Sequence, residues 1–230
     1  MLVATQGLVL HTTPYSESSV VVKVFTRQLG VRSYIIKGVR GTSGRVKQNL
    51  LQPLTSLDMV VYDNHRRQLN HIKELSPRHP QPSSDPVSNA LRFFMTEVLY
   101  KTLREDEPMQ DLWDYVDLSP FTFHLSPSTL PVRFMLKVAH YMGIEPMDNH
   151  SAATPYFCLE EGRYVAVPNE STLTAGLSAT LHRYLQGDEI MKASLNERTD
   201  LLNAMIAYFQ MHLSGFRNFK SHEILHTVLR

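Results

Sequence analysis

The sequence predicts an α+β protein of two domains, an N-terminal barrel of five short strands and an α-helical domain with a small β-hairpin. Up to about residue 77, β-branched residues alternate with the period of half-buried strands. Three prolines within residues 77–82 then break every regular pattern. Beyond them, apolar residues recur with a helical period. We therefore predict a barrel domain at 1–78, a proline-rich linker at 79–84 and a helical domain at 85–230.

The barrel strands are predicted from alternation and from the turns between them. Val20, Val22 and Val24 share one face of a strand, for example, while Lys23 lies on the other. Strands are expected near 2–12, 18–27, 31–39, 51–63 and 67–75. Five short strands with a basic loop in about 77 residues favour a small barrel, and the OB-fold is the commonest barrel of that size.

The helical domain begins at Asp85-Pro86, which is typical of an N-cap followed by proline in the first helical turn. Helices are expected near 86–105, 108–118, from 127 or 131 to 142, 172–186, 196–213 and 222–229. The segment PYFCLEEGRYVAV, residues 155–167, predicts a two-stranded hairpin with a Glu-Glu-Gly turn.

Charge is divided unevenly between the two predicted domains. The whole chain of 230 residues has 23 Lys and Arg against 22 Asp and Glu, a net charge of +1. Residues 1–80 hold eleven of these bases and four acids, a net +7, and the remainder is −6. Between Glu17 and Asp58 there is no acid at all. Because phosphate backbones attract clustered cations, this split favours a nucleic-acid partner for the barrel.

Several classes of protein are excluded by the composition. With 43% apolar and 20% charged residues, the chain is typical of a folded protein. No apolar run is long enough for a transmembrane helix, and the N-terminus lacks the pattern of a signal peptide. Cys158 is the only cysteine, so we expect no disulfide and no cysteine-cluster zinc site. We expect a cytoplasmic protein with no membrane partner and no cofactor.

The most catalytic-looking motif is the HExxH of His222, Glu223 and His226. In zinc peptidases the two histidines of this motif bind the metal and the glutamate is the base. Here only four residues follow His226, and Ser221 is a candidate N-cap, which would place His222 in the first helical turn. The pattern therefore favours an amphipathic terminal helix that packs on a core, and a zinc peptidase remains the less favoured alternative.

The glycine-rich stretch 38–45 lacks the Gly-Lys-Ser/Thr ending of a phosphate-binding loop. It is either an ordinary inter-strand loop or a basic finger on a nucleic-acid groove. Cys158 has no nearby histidine motif, so a buried structural thiol is favoured over a nucleophile.

The basic residues of the barrel are the main functional signal. OB-folds bind single strands by contacting phosphates with Lys and Arg and stacking bases on aromatic rings. The predicted phosphate-binding residues are Lys23, Arg27, Arg32, Lys37, Arg40, Arg45 and Lys47, extended by Arg66 and Arg67 in the turn between the fourth and fifth predicted strands. Tyr15 and Tyr34 are candidate stacking platforms, with core-edge packing as their alternative role. Neutralisation of the cations by acids elsewhere in the fold also remains open.

These residues belong to stretches that closely resemble the RecO family of bacterial recombination mediators. The matching stretches are Val9-Leu10-His11-Thr12, Pro14 to Ser19, Phe25-Thr26-Arg27 with Gly30, Ile36 to Arg40, Leu51 to Leu54, and a tail of Gly215-Phe216, Lys220-Ser221 and Glu223 to His226. The resemblance is most specific in residues 9–54 and extends over the whole chain. It also accounts for the HExxH, because the family's last helix has a similar Ser-x-Glu-x-Leu-His pattern.

The resemblance implies an N-terminal OB-fold, a helical C-terminal domain and no enzymatic turnover. It implies binding of single- and double-stranded DNA in the bacterial nucleoid and annealing of complementary strands. The implied partners are RecR, the acidic C-terminal tail of single-strand-binding protein and, indirectly, RecA, which is loaded on DNA coated by that protein. Many relatives carry a four-cysteine zinc site; this chain has only His150 and Cys158 in that region, so we expect no zinc and a hairpin held by packing.

An acidic peptide tail requires an apolar pocket with a base at its edge. Arg133 and Lys137, four residues apart on a predicted helix, are candidates for that base, with an ordinary solvated helix face as the alternative. A protein-interaction adaptor that binds no DNA is the principal alternative function, and it would show no salt-dependent DNA binding.

Overall fold

The five N-terminal strands close into a barrel in the computed structural model, which describes residues 1–39, 49–64, 67–79, 85–122, 126–188 and 193–229. The strands are β1 (Leu2–Pro14), β2 (Val20–Thr26), β3 (Gly30–Ile36), β4 (Ser56–Tyr62) and β5 (Asn70–Pro77). Around the barrel their order is β1-β2-β3-β5-β4, and β4 pairs back with β1. All pairs are antiparallel except β3 with β5, which pair in parallel over two positions. The predicted five-stranded barrel is confirmed.

Branched aliphatic side chains fill the interior of the barrel. Val22, Val24, Leu57 and Val61 are fully buried, together with the ring of Tyr34. Because β-branched residues pack well on a pleated surface, the alternation in β2 and β4 both forms the strands and directs these side chains inwards. Six of the seven residues of β3 are buried, so this strand is covered on both faces.

Six helices and a second, two-stranded sheet follow in the described part of the chain. The helices are α1 (Pro86–Thr102), α2 (Gln110–Thr122), α3 (Leu130–Tyr141), α4 (Ala175–Leu185), α5 (Leu195–His212) and α6 (Ser221–Val228). Strands β6 (Tyr156–Cys158) and β7 (Arg163–Val165) form the predicted hairpin. Helix α5 begins with a capping box of Ser194 and Glu197, two residues before the cap expected at Asn196.

The chain divides into two compact units, and their boundaries differ from the predicted domains. One unit contains Met1–Asp85 and Leu103–Phe123; the other contains Pro86–Thr102 and His124–Arg230. Helix α2 therefore belongs with the barrel, whereas the prediction assigned all of 85–230 to the helical domain. The reason is the apolar face of α2: Leu112, Trp113 and Val116 are buried, and the Trp113 indole N–H donates to the carbonyl oxygen of Phe25 at 2.9 Å.

Aromatic rings form the centre of the helical unit. Phe216 packs edge-on against Phe209 and stacks with Phe219, with ring centroids 5.1 and 5.0 Å apart. Phe94 on α1 meets Phe219 edge-on at 5.5 Å. Rings in these orientations stabilise a core beyond their buried area. The carboxylate of Glu97 accepts the backbone N–H groups of Lys220 and Ser221 at the start of α6 and so takes the capping role predicted for Ser221.

The small hairpin is held to α4 by buried hydrogen bonds. The Ser178 hydroxyl accepts the N–H of Phe157 at 2.9 Å, and Tyr164 donates its hydroxyl to the Ser178 carbonyl at 3.1 Å. The Asn149 side chain pairs with both backbone groups of Tyr164. Cys158 is buried. Within the ranges described, no group of three or more metal-ligating side chains is placed to bind an ion, and no helix is long and apolar enough to cross a membrane.

Candidate nucleic-acid interface

Two of the predicted DNA-binding cations on the β2–β3 side of the barrel lie against carboxylates. Lys23 Nζ is 2.8 Å from Oε1 of Glu105. Arg27 donates from Nε and Nη2 to the two carboxylate oxygens of Asp114, at 2.7 and 2.9 Å. Both acids lie in Leu103–Phe123, in the same compact unit as the barrel. The carboxylate oxygens thus contact the same nitrogen atoms of these cations that phosphate oxygens would contact.

The bidentate pair shifts the ionisation of both partners. The hydrogen bond from Arg27 lowers the pKa of Asp114 below its usual range, and the same bond raises the pKa of Arg27. Both groups are therefore charged at neutral pH. Because both side chains are partly exposed to solvent, the pair adds little stability, but it neutralises the local positive charge.

Arg32 was predicted to contact DNA, but its side chain is buried and paired with acids. Only 5% of its side chain is exposed, and its guanidinium lies between the carboxylates of Asp63, at 3.4 Å, and Asp106. A buried charge requires a partner, and here two acids of the same unit supply it. A phosphate cannot reach this guanidinium, so Arg32 stabilises the barrel and is withdrawn as a DNA contact.

The backbone of the acidic segment 105–107 closely approaches the start of β3. Val31 and Glu105 form a parallel bridge, and the N–H of Asp106 points to the Val31 carbonyl at 3.4 Å. Gly30 has a φ of +70°, and a Cβ at that position would lie 2.6 Å from the backbone nitrogen of Glu107. The start of β3 is therefore covered by residues 105–107, and glycine is needed at position 30.

Of the two tyrosines predicted to stack on bases, one is buried and the other is exposed. The ring of Tyr34 is fully buried in the barrel core, where burial raises the pKa of its hydroxyl. It cannot stack a base, and the prediction that it could is wrong. Tyr15, in the β1–β2 loop, is 62% exposed and remains available.

Two of the predicted DNA-binding cations are exposed and form no ion pair with the residues that the structure describes. Lys37 follows the end of β3, and Arg67 lies in the β4–β5 connection. Neither forms an ion pair with any residue in the described ranges. The other predicted cations of these two connections, Arg40, Arg45, Lys47 and Arg66, lie outside the described residues.

A groove of about 800 Å³ runs beside Lys37, between the end of β3 and β5. Its lining includes Tyr62 at the end of β4 and His71 and Lys73 on β5, all three exposed. The prediction did not select these residues. A signal was present, because alternation in β4 turns Asp58 and Tyr62 to the same outer face. The groove combines an exposed ring with cations, which is the pairing that single-stranded nucleic acid requires.

In the helical unit, Arg133 and Lys137 are not among the residues that line the unit's apolar groove. The Arg133 guanidinium donates to the backbone carbonyl of Asp188 and lies 5.7 Å from the Tyr184 ring centroid. Lys137 Nζ lies 5.4 Å from the ring centroid of Tyr141. Both cations thus pack on tyrosine rings of their own unit.

The apolar groove is lined by side chains of α3, α5 and α6, among them Val132, Leu202 and Leu225. Arg198 and His226 also line it. Arg198 donates from Nη1 to the Ala193 carbonyl at 3.0 Å and is half-buried. The helical unit therefore has an apolar groove with one base, Arg198, among the described residues that line it.

The HExxH motif occupies α6 from its first turn. His222 stacks on Phe219, with ring centroids 5.6 Å apart, and meets the ring of His226 edge-on at 5.7 Å. The backbone carbonyl of Glu223 accepts the Thr227 hydroxyl, a local helical contact. These contacts are those of a packed terminal helix.

Comparisons with known proteins agree on one family. A family model described as "Recombination protein O N terminal" matches residues 1–81. The chain is 29% identical to the DNA repair protein RecO of Porphyromonas gingivalis W83 and 26% identical to that of Christiangramia forsetii. It is 25% identical to the protein of the same name from Flavobacterium johnsoniae. Each alignment covers 99% of this chain and 99% of the relative.

Proposed function

Because the chain belongs to the RecO family, we propose that it is a non-enzymatic DNA repair protein that binds single- and double-stranded DNA and anneals complementary strands. With RecR, it would help to load RecA on DNA coated by single-strand-binding protein. The observation that carries the proposal is the surface of the barrel unit, where exposed Lys37 lines a groove together with the exposed ring of Tyr62. Arg67 is also exposed, in the β4–β5 connection.

Annealing follows from the same surface by elementary electrostatics. Two complementary strands repel each other through their phosphates, and a cationic surface that contacts both backbones reduces this repulsion. Phosphate contacts carry no sequence information, so annealing of this kind accepts any complementary pair. No nucleotide hydrolysis is needed, because duplex formation itself is favourable once repulsion is screened.

The test is binding of the full chain to fluorescent single-stranded DNA across a salt series, followed by strand annealing without nucleotide. We expect log affinity to fall linearly with log salt concentration, by about 0.7 for each phosphate contact on a single strand. We expect annealing of complementary strands to accelerate when the protein is added. Binding that is absent at low salt would favour a protein-interaction adaptor instead.

We also propose that the groove between α3, α5 and α6 binds the acidic tail of single-strand-binding protein. An apolar, acidic peptide end needs an apolar surface and a cation, and the groove offers Leu202 and Leu225 with Arg198. A fluorescent tail peptide should lose affinity in Arg198→Ala. Arg133→Ala is the matched control, because Arg133 contacts Asp188 and Tyr184 rather than the groove. Equal losses in the two variants would reject this groove.

A further inference from the structure

We propose that the groove beside Tyr62 is a site for unpaired nucleotides, in which the Tyr62 ring stacks on a base and makes this surface prefer single strands to duplex. The inference rests on the proposed DNA binding and deepens it. It gives Tyr62 the role of stacking on a base. The β2–β3 cations cannot take that role, and neither can the buried ring of Tyr34.

The position of Tyr62 suits a stacking platform. It is the last residue of β4 and pairs with His71 on β5 and Leu2 on β1. Residues directly opposite in an antiparallel pair point to the same face, so the Tyr62 and His71 rings emerge side by side. Tyr62 is 52% exposed and makes no ring contact with any of the residues described. One face of the ring is therefore open to a planar ligand.

The surroundings of the ring suit the other parts of a nucleotide. The floor of the groove is apolar, built from Ile35, Ile36 and Ile72. Lys37 and Lys73 also line it and can contact phosphates. Its volume of about 800 Å³ lies within the range of about 300–1,000 Å³ common for ligand sites. The groove thus offers a ring for the base and two cations for the phosphates.

Among the described residues, one acid, Glu74, lines the groove, and it is already paired with a lysine. Glu74 Oε1 lies 3.3 Å from Lys73 Nζ in an exposed pair. Such pairs contribute little, so a phosphate competes readily for Lys73. A groove with two lysines, a histidine and an exposed tyrosine favours a polyanion with aromatic faces over an ordinary acidic peptide, which would supply charge but no base for the ring.

Stacking on Tyr62 distinguishes single strands from duplex because duplex bases already stack on one another. An unpaired base offers both faces to a protein ring, whereas a paired base must first be unstacked at a free-energy cost. Loss of the ring should therefore weaken single-strand binding and leave duplex binding, which depends on phosphate contacts, almost unchanged. The salt slope should not move, since tyrosine carries no charge.

The experiment compares wild type, Tyr62→Ala, Tyr62→Phe and Leu2→Ala, all as full chains, on an oligothymidylate and on a mixed-sequence duplex of equal length. We expect Tyr62→Ala to lose about tenfold in affinity for the oligothymidylate and less than twofold for the duplex. Tyr62→Phe keeps the ring, and Leu2→Ala alters the neighbouring, 49% exposed side chain on β1. Both should bind as wild type does.

Ultraviolet crosslinking of wild type to a bromouracil-substituted strand gives a second readout that does not depend on the variants folding. We expect a crosslinked peptide containing Tyr62 or His71. Crosslinks only elsewhere, or equal losses of Tyr62→Ala on single strand and duplex, would overturn the inference. Wild-type affinity in Tyr62→Ala would overturn it while leaving the proposed DNA binding intact. Absence of wild-type binding to either DNA would reject both.

Discussion

The free and the paired cations of the barrel unit should contribute differently to DNA binding. Lys37 and Arg67 are exposed and have no counter-ion among the described residues, whereas Lys23 and Arg27 lie 2.8 and 2.7 Å from carboxylate oxygens. A free cation that binds a phosphate releases condensed counter-ions from DNA. A cation already neutralised by a carboxylate releases few of them.

The magnitude follows from the number of contacts. The double variant Lys37→Ala/Arg67→Ala should lower the slope of log affinity against log salt by about 1.4 on single-stranded DNA, at about 0.7 for each lost contact. Between 50 and 200 mM salt, the affinity of this variant would then vary about sevenfold less than that of wild type. The matched control, Lys23→Ala/Arg27→Ala, removes the same charge from the chain and should leave the slope nearly unchanged.

Fluorescence anisotropy of a labelled oligonucleotide measures both slopes, and circular dichroism verifies that each variant is folded. The reasoning is refuted if the Lys23/Arg27 variant flattens the slope as much as the Lys37/Arg67 variant does. In that case the carboxylates do not neutralise the β2–β3 side, and DNA displaces them.

Three further predictions concern stability and are measured by denaturant unfolding. Trp113→Phe should cost about 2–3 kcal/mol, because it shortens a buried ring and leaves a β2 carbonyl without its donor; a cost below about 0.5 kcal/mol would contradict the packing of α2 on the barrel. Gly30→Ala should cost about 2–4 kcal/mol, since it adds a clash with the Glu107 backbone to a left-handed φ. Gly38→Ala has the same φ but no atom of the described residues within 4 Å of the added Cβ, and should cost about 1 kcal/mol; equal costs would remove the close approach as the cause. Ser178→Ala should cost about 1–3 kcal/mol by leaving a buried hairpin N–H unpaired, and no loss would mean that packing alone holds the hairpin.

Local patterns were sufficient to predict the elements but not their partners. Alternation in β2 and β4 identified the strands, because each strand has one buried face. The same rule failed for Tyr34, since β3 is buried on both faces and alternation there does not distinguish inside from outside. Tyr62 was missed for a related reason. Tyr62 forms part of the groove together with His71 on the neighbouring strand. This pairing can be predicted only when the register of the sheet is known.

Whether acids neutralise the cations was left open, because charge was counted along the chain and the positions of distant acids were not known. Lys23, Arg27 and Arg32 lie in a stretch without acids, yet their carboxylate partners are up to 87 residues away in the chain. Helical periodicity showed that α2 has an apolar face, but no periodic pattern states which core that face joins. The assignment of α2 to the barrel depends on Trp113, and only the fold shows where the indole N–H finds its acceptor.

The barrel unit is built from two separate stretches of the chain, so the ribosome synthesises its strands before the segment that covers them. The five strands are complete at Pro77, but Glu105, Asp106 and Trp113 are synthesised only after the whole of α1. Until then, the emerging barrel carries a net charge of +7 over its first 80 residues, with Lys23 and Arg27 lacking their carboxylates and the start of β3 uncovered. A nascent chain in that state would attract any nearby RNA or DNA, and the later acidic segment ends this exposure by covering the surface that it neutralises.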